Sequence, residues 1–218
     1  MVSVNVGRPG PSTAHPTRPT GIDKEPVDEL PVRDPGPRAM TGTGGSGVVG
    51  DFIGDRRHHG GTSQAVYLVA AEELAHWSGE LERDLPPGAF GENVTTEGID
   101  LDALLLGTRL RIGEVELEVR VPREPCSTFA AHMGVRGWVK RFAARGRTGA
   151  YCAVIEPGTI RRGDAIAVLH EPDHDIDLVT VFRAGMGDLD LARRVLDAGV
   201  LAQPYADELR ATVAARTG

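Results

Sequence analysis

The chain has 218 residues, with 31 acidic against 24 basic side chains and a formal net charge of −7. That length supports a core of its own without a disulfide framework, and the acidic balance argues against general nucleic-acid binding, which needs a net basic face. Charged residues are 25% and hydrophobic residues 40%, the mixture of a soluble globular protein rather than a disordered or membrane chain. Only two of the basic residues are lysines, Lys24 and Lys140, and the only cysteines are Cys126 and Cys152.

The first thirty residues are polar and broken by proline, without the apolar centre of a signal peptide, and no apolar run reaches transmembrane length. A cytoplasmic protein with reduced thiols is the expectation, and the arginine, alanine and glycine bias suggests a GC-rich bacterial source. Residues 1–50 hold eight prolines and nine glycines, a composition for surface loops and short strands, of which Gly21 to Val27 is the most strand-like. Gln64 to Val69 reads as a buried strand, and Ala70 to Glu82 places Leu74, Trp77 and Leu81 at helical spacing. Thr108 to Ile112 and Glu114 to Val121 alternate polar and apolar around Gly113, the pattern of a half-buried hairpin. Ser127 to Ala144 is helical with breaks near Gly134 and Gly137. Strands are then expected at Tyr151 to Ile155, Ala165 to Leu169 and Ile176 to Phe182, and helices at Asp188 to Ala198 and Pro204 to Arg216. The fold class expected is mainly β with peripheral helices (α+β), a barrel domain over residues 1–184 and a small helical element over 185–218.

Three pattern matches fail on their context. His170-Glu-Pro-Asp-His174 spells H-E-x-x-H, whose two histidines must share one helix face, but Pro172 breaks any such helix. Gly42 to Gly47 contains G-x-G-x-x-G without the strand before it and the helix after it that dinucleotide binding requires. Arg162-Gly-Asp164 is a strand-entry turn.

Cys126 follows Pro122 and Pro125 at the start of a helical stretch, where a thiol pKa is lowered, and residues 119–147 carry seven bases against one acid, Glu124. A thiolate nucleophile or soft-metal ligand and a structural cysteine beside a solvated basic helix both fit this pattern. Cys152, in a strand-like run, reads as a small core hydrophobe. Gly50 to Gly61 concentrates Asp51, Asp55, Arg56, Arg57, His58 and His59 among glycines. That composition suits hydrogen bonding of an anionic or heterocyclic ligand by His59, Arg57 and the glycine amides, and equally a charged turn.

Taken in order, K-x-P-V (Lys24 to Val27), G-D-x-x-x-D-x-x-x-H-G-G (Gly50 to Gly61), A-V-Y, G-A-F-G-E-N (ending at Asn93), P-R-x-P-C (ending at Cys126) and a following G-D resemble MOSC-domain proteins of the YiiM-like branch, over about residues 20–183. The domain takes its name from the C-terminal domain of molybdenum cofactor sulfurase. The resemblance implies a β-barrel followed by a short three-helix element, and binding of the molybdenum cofactor, a molybdopterin-type pterin dithiolene with a phosphate. It makes Cys126 the expected molybdenum ligand or sulfur-carrying thiol. Lys24, Asp51, Arg57, His59, Gly60, Gly61, Asn93 and Arg123 become the expected cofactor contacts, with the basic segment neutralising the phosphate. The implied activity is an oxidoreductase that reduces N-hydroxylated small molecules such as hydroxylaminopurines, fed by an external electron-transfer protein. A non-catalytic carrier of sulfur or of the cofactor, using the same thiol, is the rival. Pyridoxal phosphate is not expected, because the aldimine-forming lysine belongs to a separate desulfurase domain. Neither a nucleic-acid nor a membrane partner is expected, and whether the tail helices mediate a homodimer stays open. Between Val27 and Gly50 the sequence departs from the family pattern of a short strand leading into glycine-leucine.

Overall fold

The computed structural model describes residues 1–38 and 45–217. Three short strands, β1 (Ser3–Gly7), β2 (Lys24–Val27) and β3 (Glu29–Val32), come from the proline-rich N-terminal region. β4 (Val66–Ala70) leads into α1 (Ala71–Leu81), then β5 (Val94–Thr96), the hairpin β6 (Arg109–Ile112) and β7 (Val115–Pro122), α2 (Ser127–Met133) and α3 (Trp138–Arg145). β8 (Ala150–Glu156), β9 (Gly158–Arg161), β10 (Ile166–His170) and three helices, α4 (Leu178–Gly185), α5 (Leu189–Ala198) and α6 (Gln203–Thr217), complete the chain.

Eight strands form one mixed sheet in the order β10-β6-β7-β8-β4-β5-β1-β2, and β3 pairs with β9 in a separate ribbon. Only β4 and β5 run parallel, and α1 supplies the crossover that a parallel pair requires. The two end strands, β10 and β2, do not pair with each other. The architecture is therefore α+β as expected, but the sheet is open where a closed barrel was expected. β3 lies within the segment that departs from the family pattern, and its pairing with β9 holds that segment against the body.

β4 explains the uninterrupted apolar run seen in the sequence: all five of its residues are buried, because both faces of the sheet are covered here. Val66, Leu68 and Ala70 point into a core shared with α4, α5 and α6, whereas Tyr67 and Val69 join an aromatic core with Trp77, Phe90, Phe129, Trp138 and Phe142 beneath α1, α2 and α3. Edge-to-face contacts between Phe129 and Trp138 (5.4 Å) and between Phe129 and Phe142 (5.1 Å) lock that second core.

The segment from Ile176 to Phe182 is a correction. It forms α4 and not a strand, because the Asp177 side chain accepts the Thr180 N–H at 2.7 Å and caps a helix. No helix among the described residues is long and apolar enough to cross a membrane. The segment from His170 to His174 is non-helical, as the proline requires. His174 Nε2 lies 2.9 Å from the Leu106 carbonyl, and its Nδ1 accepts the Ile176 N–H. Positions 42–44 of the glycine-rich stretch lie outside the described residues.

Candidate functional site

The chain leaving β7 delivers Arg123 to one wall of a cleft, and Cys126 then sits at the N-cap of α2 in extended conformation (φ −120°, ψ 170°). The cleft encloses about 730 Å³ of empty space, part of it open to solvent. Its other walls come from the N-terminal wrap, the loop before β4, the turn before β5 and the start of β8. Lys24, Asp51, His59, Gly60, Asn93, Arg123 and Cys126 all line it, so seven residues scattered over a hundred positions of sequence converge here.

Asp51 is the hub on one side. Its Oδ1 accepts from the Lys24 ammonium and from the Gly7 N–H at 2.7 Å, and its Oδ2 accepts from Ser46 Oγ at 2.7 Å and Asn93 Nδ2 at 3.1 Å. Asn93 is held in turn by accepting the Tyr67 N–H at 3.2 Å, so β4 orients the amide that orients the carboxylate. Burial lowers the pKa of Lys24, opposed by the charge and hydrogen bond of Asp51.

Cys126 is the hub on the other side. Burial pushes its thiol up, but a hydrogen bond from His59, the Arg123 guanidinium and the Phe129 amide outweigh burial and leave the pKa at about 6. The helix contributes through that one amide, without closing a capping hydrogen bond.

Arg123 has an unusual setting for a cation. Its side chain is buried, stacked 4.2 Å from the Phe129 ring centroid and 5.0 Å from that of Tyr67, and its Nη1 donates to the Phe90 carbonyl at 2.9 Å. No carboxylate pairs with it among the described residues, and its Nε has no hydrogen-bond partner. Burial opposes its charge, yet the phenols of Tyr151 and Tyr67 and the Cys126 sulfur hold it protonated. A buried guanidinium without a carboxylate, next to a thiol with a pKa of about 6, is an arrangement that could hold an anionic or soft-metal-bearing group.

Two expected contacts do not belong to this cleft. Arg57 is exposed and makes no part of its lining. Gly61 turns away, its N–H donating to the Gly45 carbonyl at 3.0 Å, and with φ 78° a Cβ here would fall 2.5 Å from the Arg38 nitrogen. The Gly60 N–H is engaged by Gln64 Oε1 at 3.2 Å, so neither glycine amide is available to a ligand. The basic segment also disperses. Arg141 pairs with Glu80, and Arg145 and Arg147 converge on the buried Glu73, leaving Arg123 as the one member of that run lining the cleft.

Arg18, Gln64, Tyr67, Thr128 and Tyr151 also line the cleft, and none of them is among the ligand contacts expected from the sequence. Tyr67 and Tyr151 are register partners on β4 and β8 with ring centroids 4.6 Å apart, a neighbourhood legible only once the strands are paired. Arg18 sits in the wrap, anchored to Asp55 at 2.8 Å.

A model of the MOSC domain family matches residues 55–167, the stretch from the His59 loop to the start of β10. The chain belongs to the MOSC domain family. Among relatives, YflK of Bacillus subtilis (strain 168) is 31% identical over 159 residues, covering 72% of each chain. YiiM of Escherichia coli (strain K12) is 30% identical over 118 residues, 52% of each. A protein of Gibberella moniliformis named as a reductase is 34% identical over 131 residues, 58% of this chain but 23% of its own length. The crystal structure of YiiM from Geobacillus stearothermophilus superposes with a TM-score of 0.75 over 97% of both chains at 22% identity, a likeness of fold. The expected kinship with the YiiM-like branch therefore holds.

Proposed function

We propose that this MOSC protein binds the molybdenum cofactor in the cleft and reduces N-hydroxylated small molecules, with Cys126 as the metal ligand. The observation that carries the reading is the pairing of a thiol ionising near pH 6 with a buried guanidinium that lacks a carboxylate. The name of the Gibberella relative supports a redox role, and membership of the family supports the cofactor.

The residues present fit the group. Cys126 would hold molybdenum as a thiolate, kept deprotonated at neutral pH by His59 and Arg123. Arg123, unpaired, and Lys24, already oriented by Asp51, would face its anionic part. Tyr67 and Tyr151 remain neutral phenols, since burial raises both pKa values, and they wall the cleft against bulk water. When bound, the cofactor supplies two-electron chemistry. The overall conversion takes R–NH–OH, two electrons and two protons to R–NH2 and water, the electrons coming from an external electron-transfer protein.

Protein made in a host competent for cofactor synthesis should carry molybdenum and pterin near one per chain, measured by elemental analysis and oxidised-pterin fluorescence. Cys126→Ala should lose the metal. Absence of both metal and pterin from the wild type would sink the proposal. Metal present without reduction of a hydroxylamine by an artificial electron donor would favour the carrier role, for which the same low-pKa thiol serves equally.

A further inference from the structure

Beyond the cleft, on the side of the C-terminal helices, lies a second and larger chamber of about 1710 Å³ of empty space, part of it open solvent. The two are continuous, because Cys126, His59, Gln64, Tyr151 and Thr128 line both. Their chemistry differs. The inner cleft holds the Lys24, Asp51 and Arg123 charges, whereas the outer chamber is walled by Val121, Val181, Leu201, Leu209 and Tyr205, with three carboxylates, Asp55, Glu124 and Glu208, and two arginines, Arg18 and Arg38, beside them. Tyr205 is placed by Arg38, whose guanidinium lies 5.4 Å from its ring centroid and whose Nη1 donates to the His58 carbonyl at 2.8 Å. Arg38 thus ties α6 to the loop that carries His59.

We propose that the outer chamber receives the reducible substrate and that Tyr205, on α6, holds its apolar body while the N–OH end reaches toward Cys126. The inference rests on the reading of Cys126 as the redox centre. It makes α6 part of the active site, where the sequence suggested only an appendage. Burial pushes the Tyr205 phenol up to about 12, so it presents a neutral aromatic ring. Of the charges lining the chamber, Arg18 pairs with Asp55 at 2.8 Å and Arg38 faces Glu208 at 4.0 Å, which leaves Glu124 as a carboxylate without an ion pair among the described residues. Such a chamber accepts neutral and cationic aromatic compounds and rejects anionic ones.

The test is equilibrium binding to the full chain by titration calorimetry, with benzamidoxime and its para-carboxylate as probes. Wild type should bind benzamidoxime and bind the carboxylate at least about tenfold more weakly, and Glu124→Gln should narrow that gap. Tyr205→Phe should retain affinity, and Tyr205→Ala should lose about tenfold or more, the size expected for an aromatic stacking contact. Thr212→Trp, which fills the chamber from α6, should block binding if Tyr205→Ala proves poorly folded. Wild-type affinity in both Tyr205→Ala and Thr212→Trp, or no binding of benzamidoxime to wild type, overturns the assignment. Molybdenum is measured on the same preparations. Its absence from wild type overturns the redox reading, while probe affinities judge the chamber separately.

Discussion

Cys126 and Cys152 show how far surroundings govern one residue type. Cys152 lies inside the sheet opposite Val66 and Val119, and burial together with Glu118 raises its thiol to about 12, whereas Cys126 falls to about 6. Because the folded pKa of Cys126 lies below the ordinary thiol value, its thiolate fraction rises through pH 6 and is about nine-tenths at pH 7. Iodoacetamide should therefore label Cys126 with a rate that is half-maximal near pH 6 and leave Cys152 untouched in the native state. His59→Ala should move that midpoint upward. Equal labelling of both cysteines in native protein would refute the contrast. The Lys24–Asp51 pair carries a second expectation. Asp51→Ala strands a buried ammonium, the Ser46 hydroxyl and the Asn93 amide at once and should cost about 3–5 kcal/mol in urea denaturation. Lys24→Met should cost clearly less, since Asp51 keeps three other donors. The sequence made Lys24 and Asp51 visible by their rarity and their motifs, but not their pairing, because 27 positions separate them and only the return of the chain through β2 joins them. It overstated the basic segment, because counting charges along the chain ignores that Glu73, far away in α1, absorbs two of them.

The hairpin β6–β7, the buried strand β4 and the helix α1 were legible because each has one dominant periodicity: two for the hairpin, a closed apolar run for β4, 3.6 for α1. α4 was not, and the reason is instructive. Leu178, Val181 and Phe182 are buried at helical spacing, yet the β-branched Ile176, Val179, Thr180 and Val181 also satisfy a short strand, and the decision falls to the cap at Asp177. Asp177→Ala should accordingly lower stability by about 1 kcal/mol, read from the urea midpoint at unchanged slope. Asp177→Asn should recover most of it. A null effect of Asp177→Ala would mean that packing alone selects the helix. The cleft was half legible for a related reason. Most of the expected contacts inside the motifs converge on the cleft, although Arg57 and Gly61 do not, while the stacking of Tyr67 on Tyr151 depends on the register of β4 with β8, which no local pattern encodes.

The whole molecule is held by two cores on opposite faces of one sheet, and the larger runs without interruption from Val4 in β1 to Leu209 in α6. The C-terminal helices thus share the sheet's core rather than building one of their own. Urea unfolding followed by tryptophan fluorescence, which reports Trp77 and Trp138 in the aromatic core, should coincide with unfolding followed by far-UV circular dichroism. Separate midpoints would show that the tail unfolds on its own. The open sheet has a further consequence, for association. Its two free edges are unequal: β2 carries Pro26, which cannot donate to a further strand, between the charged Lys24 and Glu25 and the following Asp28. β10 has no proline within the strand and exposes Val168 and Leu169. Strand addition, and with it aggregation on heating, is therefore directed to one side of the molecule, the side where Val168→Lys places a gatekeeping charge.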